Sequence, residues 1–390
     1  MDRVVVTGMG AITPLGLTAA ATWQAILQGR TAARDWDDLT EAGFRRGWAC
    51  RITGLDLPEA RRGLHLARIA ATEALAQAGW PGALPDRRAG LFIGSTIGES
   101  AAFEAAATMG AQVDVADYRV PSFCAGLARD LNLTGPTEAL ATACAAGNYA
   151  IGAGLRALRS GRVPWALCGA VEPFSRLSMV GFSRSRAMAT GDCHPFDPRR
   201  DGMVLGEGAA MFVLERASDA LARGATPLAE VLSLGLASDA HHPTAPRPDG
   251  LGMARAMQAA INAAGLTPAQ IDWVSLHGTG TRASDAAEGE ALKTVFAGHA
   301  MPALSACKGA IGHGLGAASA IAAALCILGL RDQRVPPTAG HGSADPAIGL
   351  SCVAEDAPPL ARRLQVCLNN GFAFGGLNST LALARWEART

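Results

Sequence analysis

The chain has 390 residues, of which 49% are hydrophobic and 17% charged, and its formal net charge is +0. That length exceeds one ordinary core, so two domains or one large duplicated domain is expected. Balanced charge without long basic runs excludes a nucleic-acid footprint and a polybasic membrane anchor. Nine scattered cysteines with no C-x-x-C spacing argue against a disulfide framework or a structural zinc site, and for a reducing cytoplasm. Lysine is nearly absent, with only Lys293 and Lys308 against thirty-two arginines. A lysine kept inside CKGAIGH therefore suggests that a compact ammonium is needed there.

The opening MDRVVVTGMGAITPLG has an acidic second residue and an apolar run too short for a signal peptide, and reads as a strand and a turn. Helices are predicted near TAAATWQAILQG and over 64–78, then a strand at GLFIGS, a helix near PSFCAGLARDL and a strand at PTEALATAC. A helix over 145–160 stops at Gly161, and strands WALCGAVE and GAAMFVLE follow, separated by a loop rich in Arg, Asp and Gly. This alternation implies an α/β sheet covered by helices. SDALARG and the Gly-Ala-Thr-Pro after it mark a boundary near residue 222, dividing the chain into 1–222 and 223–390.

Beyond the boundary the alternation restarts with PLAEVLSLGLAS, helix GLGMARAMQAAINAAG, strand IDWVSLHG, helix ASDAAEGEALKTVFAG, strand ALSAC and helix GLGAASAIAAALCILG. Final strands are predicted at SCVAED, RLQVCLNN and STLALARW. The apolar stretch 311–330 contains His313 and several glycines, and is expected to be a buried core helix rather than a membrane span. In each half a strand runs through a small-residue turn into an Ala/Gly helix, with Cys144 at one turn and His313 at the other. An internal structural duplication is therefore expected.

Cys144 lies between EALATA and its helix, where the positive end of the macrodipole is expected to lower a thiol pKa from about 8.5 into the ~3.5–7.5 range of reactive cysteines. The other eight cysteines read as core packing. His277 ends WVSL and enters GTGT, so it is expected at the carboxyl edge of the sheet, with Thr279 and Thr281 offering hydroxyls to a polar substrate arm. His313 stands among glycines that permit close approach, and Lys308, five residues earlier, is placed to bias its protonation. In GFAFGGLN, residues 371–378, backbone N–H groups can form half of an oxyanion hole, and Phe372 and Phe374 can gate an apolar channel. Each signal alone also fits a packing histidine, a core cysteine or a plain glycine turn. Together, one nucleophile and two imidazoles suit carbon–carbon bond formation on thioesters. The G-x-G of GMGAITPLG is a poor dinucleotide fingerprint, because Pro14 follows and no acidic residue ends a second strand.

In order along nearly the whole chain, VVVTGMGAITPLG, LATACAAGNYAIGAGLRALRSG, HPFDPRRDGMVLGEGAAMFVLE, SDAHHPTAPRPDG, LHGTGTRASDAAEGEAL, KGAIGHGLGAAS and NNGFAFGGLNS resemble the elongating β-ketoacyl-acyl carrier protein synthases of the thiolase superfamily, of the KAS I/II type. The resemblance implies an α/β, thiolase-like duplicated α-β-α-β-α five-layered fold. It implies Cys144 as the acylated nucleophile, His277 and His313 as the pair supporting decarboxylation of a malonyl thioester, and Lys308 tuning His313. Thr279 and Thr281 would contact the phosphopantetheine arm, with Phe372 and Gly375 also on the substrate side. Phe374 would be the gatekeeper, sharing the oxyanion hole with the Cys144 amide, and Asp239 and Asp285 would organise the loops. No cofactor or metal is implied, since substrates ride on the phosphopantetheine of the acyl carrier protein. That acidic partner needs a basic patch, for which Arg61 and Arg62 are candidates.

Two departures stand out. Where the family places a glutamate nine residues after the second histidine, partnering the lysine, this chain has Ala322, so Glu288 or another carboxylate would have to compensate, or the lysine is unpaired. The segment between Gly98 and Leu127 is also shorter than in fatty-acid members, so acyl length does not transfer. GFAFGG lacks the second cysteine of thiolases, and KGAIGH keeps a histidine where initiating synthases use asparagine. The expected protein is a condensing enzyme of fatty-acid or type II polyketide synthesis, cytoplasmic, without nucleic acid or membrane partners, and a homodimer or a heterodimer with a homologous chain-length subunit. Alternatives are a non-catalytic subunit of such a heterodimer, and acyl transfer or hydrolysis without condensation.

Overall fold

A computed structural model describes residues 2–58, 61–82, 84–109 and 118–387. The first half contains β1 (Val4–Ile12), α1 (Arg62–Gln77), β2 (Gly90–Gly94), α2 (Pro121–Asp130), β3 (Thr137–Leu140), α3 (Ala146–Arg159), β4 (Trp165–Glu172), α4 (Arg176–Arg184) and β5 (Gly208–Arg216). The second contains β6 (Ala229–Ser238), α5 (Leu251–Ala263), β7 (Trp273–Ser275), α6 (Arg282–Val295), β8 (Ala303–Ser305), α7 (Leu315–Asp332), β9 (Arg334–Val335), β10 (Leu360–Ala361), β11 (Val366–Ala373) and β12 (Leu377–Arg385).

The strand order β3-β2-β4-β5-β1-β6-β12-β11-β7-β8 reads as one pattern used twice. In each half the first strand pairs antiparallel with the last, which pairs antiparallel with the one before it, and two parallel strands complete the set. The two sets meet only where Val5 faces Glu230 and Val6 faces Ala229. The expected duplication is thus visible in topology without a sequence repeat.

Helix α1 covers one face of the first set against β1 and β5, and α5 covers the outer face of the second against β6 and β12. Between the two sets lie α3 and α7, packed on each other and on strands of both, which yields the five layers. Their alanines and glycines explain the closeness: a Cβ on Gly147 would stand 2.4 Å from the Ala320 amide nitrogen. Every residue of α7 from Leu315 to Leu330 is buried, as a helix apolar on all sides requires. It is long and apolar enough to cross a membrane, but 89% of that window is buried inside the fold, so it is the core helix the sequence predicted.

A side-chain amide cluster ties the halves together. Asn148 on α3 donates Nδ2 to the Asn369 carbonyl (3.0 Å) and to Ser379 Oγ (3.2 Å), and Asn369 returns Nδ2 to Asn148 Oδ1 at 2.8 Å. Asn369 Nδ2 also reaches the Ser319 carbonyl on α7 (2.8 Å), whose Oγ accepts from the Asn148 amide.

One predicted strand is not formed. SCVAED runs as irregular chain, because its amides go to separate acceptors: Val353 to the Leu304 carbonyl and Glu355 to that of His341. Only the short β9–β10 pair forms nearby.

Candidate active site

Cys144 leaves β3 through a single 3₁₀ turn, Ala143–Ala145, and Ala143 adopts a left-handed φ of 49°. This kink aims the thiol into the interior, where Cys144 is 6% exposed. The lowered pKa expected from the helix end is not found. Burial pushes the thiol up to about 12, while the Lys308 ammonium and the amides of Cys144 and Phe374 pull the other way. Desolvation exceeds what the helix end supplies, so the resting group is a thiol. That the same two amides act on Sγ places the expected oxyanion donors beside the nucleophile.

His277 sits just past β7, on a loop fixed from α6. Glu288 accepts from the amides of His277 (2.8 Å) and Gly278 (2.9 Å) and from Asn370 Nδ2 (3.0 Å). Asp285 accepts from the amides of Phe196 (2.9 Å) and Gly280 (3.2 Å), and burial pushes its carboxyl up to about 7. His313 is positioned by backbone alone: its amide donates to the Val204 carbonyl (2.7 Å), and its carbonyl accepts from Gly206 (3.0 Å). The imidazoles meet edge to face, centroids 5.5 Å apart at 83°, with Phe372 6.1 Å from His277. Burial, then the Lys308 charge, hold both well below the usual histidine pKa, and His313 adds to the effect on His277. Both rings are therefore neutral.

Lys308 contacts His277 rather than His313. Its Nζ donates to the His277 carbonyl and faces His277 Nδ1 at 3.5 Å. Its charge also acts on His313, as expected, and the contact with His277 follows from the chain path: the turn after β8 passes beside the end of its parallel neighbour β7. An ammonium only donates, so this contact favours the His277 tautomer with Nδ1 unprotonated and the hydrogen on Nε2. Among the described residues no carboxylate lies within ion-pair distance of Lys308. Ala322 is buried in the middle of α7, and Glu288 feels the lysine only through space.

Cys144, His277 and His313 converge on one cavity of about 380 Å³, also lined by Thr279, Thr281, Phe372, Phe374 and Asp239. The hydroxyls of Thr279 and Thr281 lie 2.9 Å apart. Phe374 is 36% exposed and packs 5.5 Å from Phe182 of α4. Its turn is tethered to the loop after β6. The Gly375 amide donates to the Pro243 carbonyl (2.8 Å), and the Asp239 amide to that of Gly376 (2.9 Å). Asp239 in turn accepts from Asn378 Nδ2 (2.7 Å) and the Arg247 amide (3.0 Å). Gly376 has φ +70°, and a Cβ there would meet the Asp239 Cβ at 2.6 Å, so only glycine fits. Gly375 does not line the cavity; its amide is committed to the tether.

Arg62 is not a surface cation. It is 7% exposed and holds Glu207 through Nε (2.7 Å) and Nη2 (2.8 Å), which removes it from any docking patch, while Arg61 is exposed. Sequence reasoning missed Phe182, Thr244 and Asn378, all on the cavity wall. Thr244 lies within SDAHHPTAP, where Asp239 alone was singled out. Glu172 was also missed. Fully buried at the end of β4, it accepts from the amides of Thr96, Ile97 and Gly316, and burial pushes it up to about 7.

Residues 1–220 match the family model described as the beta-ketoacyl synthase N-terminal domain, and residues 228–341 the C-terminal domain. The chain is 35% identical to 3-oxoacyl-[acyl-carrier-protein] synthase 2 of Staphylococcus aureus (strain N315), over 99% of both chains. Among solved structures it resembles the ishigamide ketosynthase/chain length factor (TM-score 0.90, 36% identity, 99% of this chain and 100% of that one). It also resembles AntDE:AntF, a type II PKS acyl-carrier protein in complex with its ketosynthase bound to the hexaketide (TM-score 0.87, 26% identity, 99% and 100%). With both domain profiles matched in order around a shared cysteine and histidine cavity, the chain belongs to the beta-ketoacyl synthase family.

Proposed function

We propose that the chain is a carbon–carbon bond-forming acyltransferase that condenses a Cys144-bound acyl group with a malonyl thioester on an acyl carrier protein, releasing CO₂, in fatty-acid or type II polyketide synthesis. The observation that carries this reading is the convergence of Cys144, His277 and His313 on one cavity, the first two from turns at strand ends and the third from the turn that opens α7. Cys144 attacks the incoming thioester; its S–H proton leaves with the carrier thiol, and a new thioester forms on Sγ. A malonyl thioester then occupies the site and loses CO₂. The His277 Nε2–H, with His313, donates to the developing enolate oxygen. The enolate carbon attacks the acyl carbonyl, whose oxygen faces the Cys144 and Phe374 amides. Breaking the C–S bond frees the Cys144 thiolate, which takes a proton from solvent, and the 3-oxoacyl chain leaves on the carrier. No cofactor enters this sequence.

The carrier protein and a homologous subunit are the partners supported by the relatives' names, and the similarity to ketosynthase/chain length factor assemblies favours a heterodimer alongside a homodimer. Nine buried cysteines without disulfides favour the cytoplasm. The test is intact-protein mass spectrometry of wild type and Cys144→Ala with a panel of acyl-carrier-protein thioesters, followed by malonyl carrier protein. Acyl mass on wild type alone, discharged as an extended 3-oxo product appears, is expected. Acyl loading followed only by hydrolysis would overturn condensation.

A further inference from the structure

Glu172 has no part in the chemistry above, although it lies near enough to Cys144 for its charge to add to the effect of burial on the thiol. It ends β4, is fully buried and does not line the catalytic cavity. Its carboxylate joins two further segments. Oε1 accepts from Ser95 Oγ (3.1 Å) and the Ile97 amide (3.2 Å), and Oε2 from the amides of Thr96 (2.6 Å) and Gly316 (2.9 Å). Four donors fill the acceptor sites of a carboxylate, so no oxygen is left to take a proton from Cys144.

Gly316 is the second residue of α7 and follows His313 by three positions. The residue before the helix, Gly314, has no side chain with which to cap it. Glu172 therefore supplies the oxygen that an N-cap side chain would give this amide, at the positive end of the helix. The fit is close: a Cβ on Gly316 would stand 2.6 Å from Glu172 Oε2 and 2.5 Å from the Thr96 amide nitrogen. The bend between His313 and Gly316, with Leu315 at φ 42°, is held at its other end by the bonds of Val204 and Gly206 to the His313 backbone. The 95–97 turn that shares the carboxylate is itself anchored, since Glu99 accepts from the amides of Gly63 (3.0 Å) and Leu64 in the first turn of α1.

We infer that Glu172 is a positioning residue for His313: by capping α7 it fixes the far end of the left-handed bend, and so the direction in which the imidazole meets the enolate oxygen. The inference rests on the condensing reading above and adds a residue to it. The charge of Glu172 works against the thiol while its hydrogen bonds work for the imidazole. Acyl loading and decarboxylation therefore respond differently to its removal.

The test measures acyl loading of Cys144 by mass and, separately, CO₂ release from malonyl carrier protein by the loaded enzyme. Glu172→Ala is expected to load at least as fast as wild type but to release CO₂ about 10²-fold more slowly, the scale of a ~1 Å misplacement. Glu172→Gln should keep most of the CO₂ rate, because its carbonyl oxygen can still accept from Thr96 and Gly316 while its amide donates to Ser95 Oγ. Gly316→Ala, which crowds the carboxylate but leaves Glu172 in place, should show the same split as Glu172→Ala. Loading and CO₂ release that fall in parallel in the alanine variants, CO₂ release unchanged in both, or Glu172→Gln as slow as Glu172→Ala overturns the positioning role. Amide hydrogen exchange of wild type reads the anchor even where a variant does not fold. The 95–97 turn should exchange as slowly as the first turn of α7, and rapid exchange there overturns the anchor. Wild type that loads acyl groups but releases no CO₂ would instead overturn the condensing reading, with exchange in the turn still deciding the anchor.

Discussion

The turns that carry Cys144 and His313 occupy corresponding places in the two halves, yet they solve their task differently. Both open a central helix, α3 or α7, and both contain a non-glycine residue with left-handed φ, Ala143 at 49° and Leu315 at 42°. In the first the nucleophile follows the kink directly. In the second, Gly312 (φ 73°) and His313 precede it, and the histidine is held by main-chain bonds to the segment before β5. Left-handed conformations at such residues are costly and persist where surrounding structure enforces them. The bend therefore recurs in both halves while the side chain it presents differs, a buried thiol in one and a neutral imidazole in the other.

The sharpest way to break this comparison is to separate the two tasks. Cys144→Ala is expected to abolish acyl loading. His277→Ala and His313→Ala should still load but release CO₂ from malonyl carrier protein about 10²–10³-fold more slowly, the cost of losing one oxyanion donor. Loss of loading in a histidine variant that remains folded would show that the halves do not divide the work.

A smaller effect is expected from Lys308→Met. Its charge helps hold both imidazoles neutral, so removing it raises their pKa values. Wild type should release CO₂ at a steady rate as pH falls through 6.5, the ordinary histidine value. The variant's acid limb should move to higher pH, and a superimposable profile would remove the lysine from that role.

The bend itself can be tested by stability. Ala143→Val forces a β-branched side chain into left-handed φ and should cost ~1–3 kcal/mol in denaturant unfolding, whereas Ala143→Gly should leave stability unchanged or raised. Equal effects of valine and glycine would mean the kink carries no strain.

The smallest effect concerns pH. Glu172, raised from 4.5 to about 7, favours its protonated form in the fold. Its contribution is fully present below its unfolded pKa and is lost as pH rises through 4.5 to about 7. The buried neutral histidines act in the opposite sense, since their contribution is lost as pH falls below 6.5. The difference in melting temperature between Glu172→Gln and wild type should isolate the carboxyl, growing in the variant's favour from pH 5 to pH 8.

Much of this was legible in the sequence. Period and punctuation located β1, α3 and α7, and Ala/Gly richness foretold that the latter two would be central. Cys144, His277 and His313 were found through segment motifs that survive without distances. What depended on tertiary distance was not legible. RRG before a helix looks like a surface pair until Glu207, far along the chain, buries one of its arginines. The thiol's protonation turned on burial that local sequence does not encode. The Lys308 partner was set by which parallel strand lies next to β8, and Gly375 by a tether from a loop more than a hundred residues away.

The Asn148–Asn369 cluster has a consequence for how the molecule comes apart. The two strand sets share only two facing residue pairs, which suggests a natural cleavage plane. Yet parting there also breaks the Asn148–Asn369 bonds and exposes to water the apolar faces that α3 and α7 bury against each other and against strands of both sets. The anatomical seam is therefore not a thermodynamic one: neither half melts ahead of the other, and a calorimeter should see a single cooperative transition.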